Sequence, residues 1–215
     1  MPTTRAQQKR ATRGLLFDVA MRLFERDGYD TVNVDDIVRE SGVARGTFYF
    51  HYESKEDVLY EAVRRGELDI AARMAAVDLE RPLRDVLQAT CDAFADIWGG
   101  SRRGFLGEAG AVGMRRISSA REERENDPLR LELVKHVERA LAAGELSSTL
   151  PALMLADIFL LDVFAALMAW AATAEPALAV VMAGTIELFL RGAEGFGTAR
   201  PAAAPKKKPA ARKRR

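Results

Sequence analysis

The segment from Asn33 to Tyr60 constrains the fold of this chain more than any other part, because it holds the start and end signals of several helices. Asn33 is a preferred helix cap with an acid three positions later, and Ser41-Gly42 is a typical helix end. The next residues leave room only for a tight turn before a second short helix over residues 45–51. Ser54 then caps a longer helix. The pattern predicts two short helices joined by a tight turn and followed at once by a long one.

The predicted helix over residues 45–51 carries polar and aromatic side chains that core packing alone does not explain. The Arg45 guanidinium has the geometry to bind guanine O6 and N7, and Thr47 suits a phosphate or a thymine. Tyr49 and His51 each carry a donor for a phosphate. These side chains predict a recognition helix that enters the major groove of DNA.

Neighbouring residues complete the predicted DNA interface. Lys55 follows the Ser54 cap and is predicted to clamp a phosphate, the alternative being a solvated lysine. For His51 the alternative is a neutral histidine packed under the head, and one or both of Phe48 and Phe50 are expected to anchor the short helix. The full predicted DNA-binding set is Asn33, Val34, Ala44, Arg45, Gly46, Thr47, Tyr49, His51, Tyr52 and Lys55.

The basic charge of the chain is concentrated at its two ends. Residues 1–13 carry four basic side chains and residues 200–215 carry eight, with no acid in either. The residues between them carry 20 basic and 31 acidic side chains, a net charge of −11. We expect residues 1–10 to form a flexible basic arm and residues 198–215 a disordered basic tail. Each either contacts DNA or is merely solvated.

The rest of the chain has helical periodicity and no alternating strand pattern. The glycine-rich residues 99–114 predict a weak or broken helix, and residues 118–128 predict a loop or a frayed helix end. Helices are expected at about 4–27, 54–76, 82–98, 128–143, 151–173 and 176–191.

Four motifs then follow one another in fewer than 50 residues: F-x-x-x-G-Y, T-V-x-V-D-D-I, S-G-V-A-R-G-T-F-Y-x-H-Y and an S-K-E-D ending. With these motifs, residues 13–60 resemble the TetR-type transcriptional regulators of bacteria. The resemblance implies an all-α homodimer with a three-helix DNA-binding head and a larger helical body that dimerises and usually holds a small-molecule pocket. We place the head at residues 1–53 and the body at 54–197, entered through the helix over 54–76. Asn33 stands where the family commonly has Thr or Ser, and the basic tail is outside the family pattern.

Two sets of apolar residues in the body are candidates for the pocket and for the dimer interface. In both sets plain internal packing is the alternative, and Asp157 and Asp162 are expected at a polar edge of the interface. The pocket candidates, bulky and adaptable side chains that suit an apolar ligand, are Cys91, Phe94, Trp98, Phe105 and Met114. The interface candidates are Leu160, Leu161, Phe164, Leu167, Met168, Val181, Thr185 and Leu188.

Other classes of protein fit the sequence less well. Residues 152–174 are long enough to span a bilayer, but two central aspartates favour a buried helix of a soluble, cytoplasmic bundle with no membrane partner. No hydrolase, metalloprotease or phosphate-loop motif occurs, so we expect no catalysis, cofactor or metal. His136 is expected to be exposed or in a salt bridge.

The function predicted is a repressor released from a palindromic operator by a small apolar effector. The alternative is an architectural DNA-binding protein dominated by its tail.

Overall fold

A computed structural model describes residues 4–119 and 126–195, which are helical and contain no β-strand. The predicted all-α class, with a small N-terminal head and a larger helical body, is confirmed. The head helices are α1 (Arg5–Asp27), α2 (Val34–Ser41) and α3 (Arg45–His51). The body helices are α4 (Lys55–Ala75), α5 (Leu83–Trp98), a 3₁₀ helix (Gly100–Phe105), α6 (Leu106–Ser119), α7 (Pro128–Ala142), α8 (Ala152–Thr173) and α9 (Leu178–Gly195).

Local signals set the helix boundaries of the head. Capping boxes begin α2 at Asn33 and α4 at Ser54, where each side chain accepts a hydrogen bond from the backbone N–H three residues later. Gly42 ends α2 with φ +71°, a left-handed conformation that side chains larger than hydrogen disfavour. The turn between α2 and α3 is therefore tight, as predicted.

A small apolar core fixes the three head helices against one another. Leu16 and Phe24 of α1, Ile37 of α2 and Phe48 of α3 are each at most 1% exposed. Phe48 is thus the anchor of the short third helix. The structure leaves Phe50 outside this core, 67% exposed.

The body packs α4 against α5, α6 and α7, while α8 lies against α6, α7 and α9. The 3₁₀ helix connects this bundle to the head. The Phe105 ring lies 6.2 Å from the Phe24 ring, and Arg102 pairs with Glu25 at 3.3 Å. The head therefore rests on the body through α4 and through the segment that precedes α6.

Two predictions about the backbone need correction. Residues 5–10 form the first turns of α1 rather than a flexible arm, because Thr4 and Gln7 make a capping box there. The glycine-rich stretch is broken as predicted at Gly99 and over the 3₁₀ helix Gly100–Phe105, but from Leu106 onward it forms a continuous helix, so the prediction holds only for its first part. Residues 1–3, the acidic-basic run 121–125 and the tail 198–215 lie outside the described residues.

Among the described residues, α8 is the one helix long and apolar enough to cross a membrane, and 28% of its apolar window is buried. Its inner side packs on α6, α7 and α9. The rest of the window lies on the surface of the described bundle.

Candidate DNA-binding face and effector cavity

The exposed face of α3 carries Arg45, Gly46, Tyr49 and Phe50. These positions form two adjacent rows, since residues four apart on a helix are neighbours. The Arg45 guanidinium donates a hydrogen bond to the Asp35 carboxylate of α2 and lies 5.7 Å from the centre of the Tyr49 ring. Arg45 is thereby held above α3 while remaining open to solvent.

The other small residues of the predicted set lie around this face. Asn33 is exposed but its amide oxygen is used to cap α2, and Ala44 is exposed at the start of α3. Val34 and Thr47 are half-buried at the edge. A Cβ at Gly46 would meet nothing within 4 Å, so the α3 backbone is open to close approach there.

His51 is buried, which contradicts its prediction as a DNA contact. Only 9% of the residue is exposed, and Nδ1 has no hydrogen-bond partner among the described residues. Burial, together with the nearby charges of Arg13 and Lys9, lowers the pKa of the imidazole below its usual 6.5. The structure supports the alternative of a neutral histidine packed in the head.

Tyr52 is also internal, 2% exposed, which contradicts its place in the predicted DNA-binding set. Its hydroxyl donates to the Glu61 carboxylate at 2.9 Å. Arg13 donates to the same carboxylate at 2.8 Å and to the His51 carbonyl at 2.8 Å. Arg13, assigned from its charge to the basic N-terminus, instead ties the end of α3 to α1 and α4.

Lys55 faces inward and is not a phosphate clamp. Its ammonium donates to the carbonyls of Tyr29 at 2.8 Å and Val32 at 2.9 Å, and it lies 4.3 Å from the centre of the Tyr29 ring. These contacts join the start of α4 to the loop between α1 and α2. No sequence motif distinguishes such a lysine from one that faces solvent.

A cavity of about 190 Å³ lies between α4, α5, α6, α7 and α8. Phe94, Trp98 and Met114 lie in its wall, as predicted for pocket residues. Cys91 and Phe105 are fully buried outside that wall, Phe105 against the head. Four residues predicted for the dimer interface also line the cavity: Leu160, Leu161, Phe164 and Leu167.

One end of the cavity is charged. Arg130 binds both oxygens of Asp157, with Nε at 2.5 Å from Oδ1 and Nη2 at 2.7 Å from Oδ2. Glu67 lies in the same wall and pairs with Arg64 at 2.7 Å. Asp157 therefore lines the cavity, whereas Asp162 is exposed on α8.

The outer face of α8 and α9 presents an apolar surface. Leu188 is 76% exposed and Val180 60%, and both lie on α9. Leu161 of α8 is 50% exposed in addition to lining the cavity. Of the other predicted interface residues, Val181 is half-buried, whereas Thr185 is buried and donates to the Val181 carbonyl.

Two residues lie deeper in the body than expected. Met168 packs close to Gly110 of α6. His136 was expected at the surface but is 2% exposed in α7. Burial lowers its pKa, although a hydrogen bond to the Met74 backbone opposes this shift. The charged residues next to His136 in the sequence suggested a surface position, although the side chain lies in the core.

Comparison with known proteins identifies the head and the fold. Residues 16–62 match the family model for bacterial regulatory proteins of the tetR family. The HTH-type transcriptional regulator AcrR of Shigella flexneri is 34% identical over 64 residues. That match spans 30% of this chain and only 30% of AcrR.

Solved structures extend the likeness to the body. FadR of Thermus thermophilus, a TetR family transcriptional repressor in complex with lauroyl-CoA, has a TM-score of 0.66 and 23% identity over 90% of this chain and 98% of its own. FadR of Bacillus subtilis in complex with stearoyl-CoA has a TM-score of 0.64 and 16% identity over 83% and 98%. At such identities the likeness establishes the fold.

Proposed function

Because the chain belongs to the TetR family of bacterial regulatory proteins, with the family's domain at residues 16–62, we propose that it is a homodimeric transcriptional regulator that binds a palindromic operator. It represses transcription, and a small apolar effector releases it from DNA. The observation that carries this proposal is the exposed row of Arg45 and Tyr49 on a short helix anchored by the buried Phe48. A recognition helix needs this combination of a rigid base and exposed polar side chains.

The apolar surface on α8 and α9 supports dimerisation. One recognition helix reads only a few base pairs, and two of them must lie roughly 34–36 Å apart to meet successive major grooves. Covering exposed apolar side chains as large as Leu188 and Val180 with a second copy is energetically favourable. The dimer therefore supplies both the palindromic symmetry and the spacing.

The cavity supports an effector. Its wall is mainly aliphatic and aromatic, with charge at one end where Arg130 and Asp157 pair. Its volume of about 190 Å³ is smaller than the roughly 300–1,000 Å³ of pockets for drug-sized ligands. We infer an effector that is compact, or that inserts only its apolar part. The FadR proteins of similar fold were crystallised with acyl-CoA ligands.

The DNA-binding proposal is tested with Arg45→Ala. Duplexes that bind are first selected from a random-sequence library, and Kd is then measured by titration at several salt concentrations. We expect Arg45→Ala to weaken binding about ten-fold or more and to relax the preference at one base position per half-site. The matched control is Arg73→Ala on α4, which removes the same charge from a pair with Asp69 and Asp96. Equal behaviour of the two variants would contradict the assignment of α3 as the recognition helix.

The effector proposal is tested by measuring operator affinity with lauric acid, lauroyl-CoA and short alkyl alcohols. We expect at least one apolar compound to weaken DNA binding. Phe94→Ala, in the cavity wall, should change the concentration required, whereas Leu79→Ala, exposed outside the cavity, should not. An effector response that is identical in both variants would contradict binding in this cavity.

An architectural role remains the second candidate for the same DNA-binding head. Footprinting separates the two functions, since a regulator protects a discrete palindrome and an architectural protein protects DNA diffusely. Footprints of the chain with and without residues 198–215 show whether the eight basic side chains of the tail dominate. For either role, we propose that the protein is a cytoplasmic DNA-binding protein and not an enzyme.

A further inference from the structure

Phe50 is the most exposed aromatic side chain among the described residues, 67% exposed near the C-terminal end of the solvent-facing side of α3. Phe48 anchors α3 in the head core, whereas Phe50 lies outside that core and touches the head through an edge contact with the His51 ring, centre to centre 5.1 Å. Its ring has neither a hydrogen-bond donor nor a strong acceptor. It therefore cannot serve a phosphate as Tyr49 can, and its exposure calls for an apolar partner.

Gly46 makes the ring of Phe50 more accessible. Gly46 lies four residues before Phe50 and thus on the same face of α3. No atom lies within 4 Å of the position that a Gly46 Cβ would take. Gly46 and Phe50 together form a surface that is apolar and open, which we call the Phe50 shelf.

Two cations accompany the Phe50 shelf. Lys9 of α1 places its ammonium over the Phe50 ring, 4.9 Å from the ring centre. Arg45 occupies the neighbouring row of α3. Positive charges next to an uncharged surface suit a duplex, where phosphates border the grooves and the groove floor carries the bases.

In the major groove, the one apolar group that a base pair displays is the C5 methyl group of thymine. We propose that the Phe50 shelf contacts a thymine methyl group in each half-site and that Phe50 thereby determines part of the operator sequence. The proposal rests on the DNA-binding function proposed above. It adds a specificity residue whose contact is apolar, beside the hydrogen-bonding Arg45.

Deoxyuridine tests the contact, because it pairs as thymine does and lacks only the methyl group. Duplexes selected with the full-length protein are resynthesised with single thymines replaced by deoxyuridine, and Kd is measured for each. We expect replacement at one thymine position to weaken binding about four-fold in one half-site and about fifteen-fold in both, the effect of exposing one buried methyl group per half-site. Other thymine positions should change Kd by less than about two-fold.

Variants assign the methyl contact to Phe50. In Phe50→Ala the difference between thymine and deoxyuridine should disappear at that position, whereas Phe50→Leu should retain most of it. Leu79→Ala removes an exposed apolar side chain of the body, between α4 and α5. It should show the same difference between thymine and deoxyuridine as the unaltered protein. The melting temperature should be unchanged in Phe50→Ala because the ring is mainly exposed.

The outcomes separate this inference from the function on which it rests. A selected palindrome whose binding is insensitive to every deoxyuridine replacement overturns the thymine contact and leaves the regulator intact. If replacement of thymine by deoxyuridine still weakens binding by Phe50→Ala, the role of Phe50 in this contact is overturned. If no sequence is enriched from the library, the sequence-specific function fails and the inference fails with it.

Discussion

Lys55 stabilises the head from the inside, through its hydrogen bonds to the Tyr29 and Val32 carbonyls and its position over the Tyr29 ring. Lys55→Ala removes the donor and leaves these carbonyls without it. We expect a loss of about 1–3 kcal/mol in the free energy of unfolding, typical of hydrogen bonds made by a charged group. Chemical denaturation measures this loss.

The control for Lys55→Ala is Lys135→Ala, since Lys135 is an exposed lysine that pairs with Glu132 on its own helix. That surface pair should contribute less than about 1 kcal/mol. An unchanged free energy of unfolding in Lys55→Ala, combined with weaker DNA binding, would restore Lys55 to the DNA interface.

The two buried histidines make stability depend on pH. Burial lowers the pKa of His51 and of His136 below 6.5, so the folded protein favours their neutral forms. Below pH 6.5 the unfolded chain binds more protons than the folded one, and the free energy of unfolding falls as the pH drops towards the folded pKa values. We expect the melting temperature to decrease between about pH 7 and about pH 5, with most of the decrease below the ordinary histidine pKa.

His136→Gln and His51→Gln divide this pH effect between the two sites. Glutamine keeps a polar side chain and does not titrate, so each variant should show a shallower decrease over the same interval. A decrease that is equally steep in the double variant would mean that other groups cause it.

At the scale of elements, the packing of α6 against α8 depends on Gly110, where the two helices approach each other closely. A Cβ at Gly110 would lie 2.6 Å from the Met168 sulfur and 2.7 Å from the Phe164 ring, closer than atoms can pack. Gly110→Ala should therefore push α6 away and cost about 1–3 kcal/mol in the free energy of unfolding. It should also alter the cavity, since Gly110 and Phe164 both line it.

Gly107→Ala is the matched control on the same helix. A Cβ at Gly107 meets nothing within 4 Å, and alanine favours a helix over glycine by up to about 1 kcal/mol. The control should be neutral or slightly stabilising. If both glycine variants were equally stable, the separation of α6 and α8 would not depend on Gly110.

Element boundaries were predictable because their signals are local in sequence. Asn33 and Ser54 cap helices with residues three positions away, and each cap forms as expected. The direction of a side chain is decided by distant partners instead. Lys55 meets carbonyls more than 20 residues earlier in the chain, and Tyr52 meets Glu61 on another helix, so local sequence gave no signal for either.

At the scale of the whole molecule, α6 connects the cavity with the head. Met114 lies in the cavity wall, and the adjacent Arg115 pairs with Glu56 in the first turn of α4 at 2.7 Å. Directly before the first residue of α6, Phe105 of the 3₁₀ helix packs near Phe24 of α1. A ligand that prefers one position of α6 would shift the population of head orientations, which is the coupling that the proposed effector requires.

In the proposed dimer, pairing of two copies sets the spacing of the heads. This pairing is tested at Leu188, the most exposed large apolar side chain of α9 at 76%. Leu188→Arg places a charge where the second copy is expected to bury this side chain, and an unpaired buried charge is strongly unfavourable. The variant should be monomeric at micromolar concentration by sedimentation or light scattering and should lose operator binding, with an unchanged helical content. Leu79→Arg introduces the same charge at a residue 44% exposed outside α8 and α9, and should remain dimeric and bind DNA.

A Leu188→Arg protein that is still a dimer would exclude this surface as the interface. A monomer that binds the palindrome with undiminished affinity would show that the spacing of the heads does not depend on pairing.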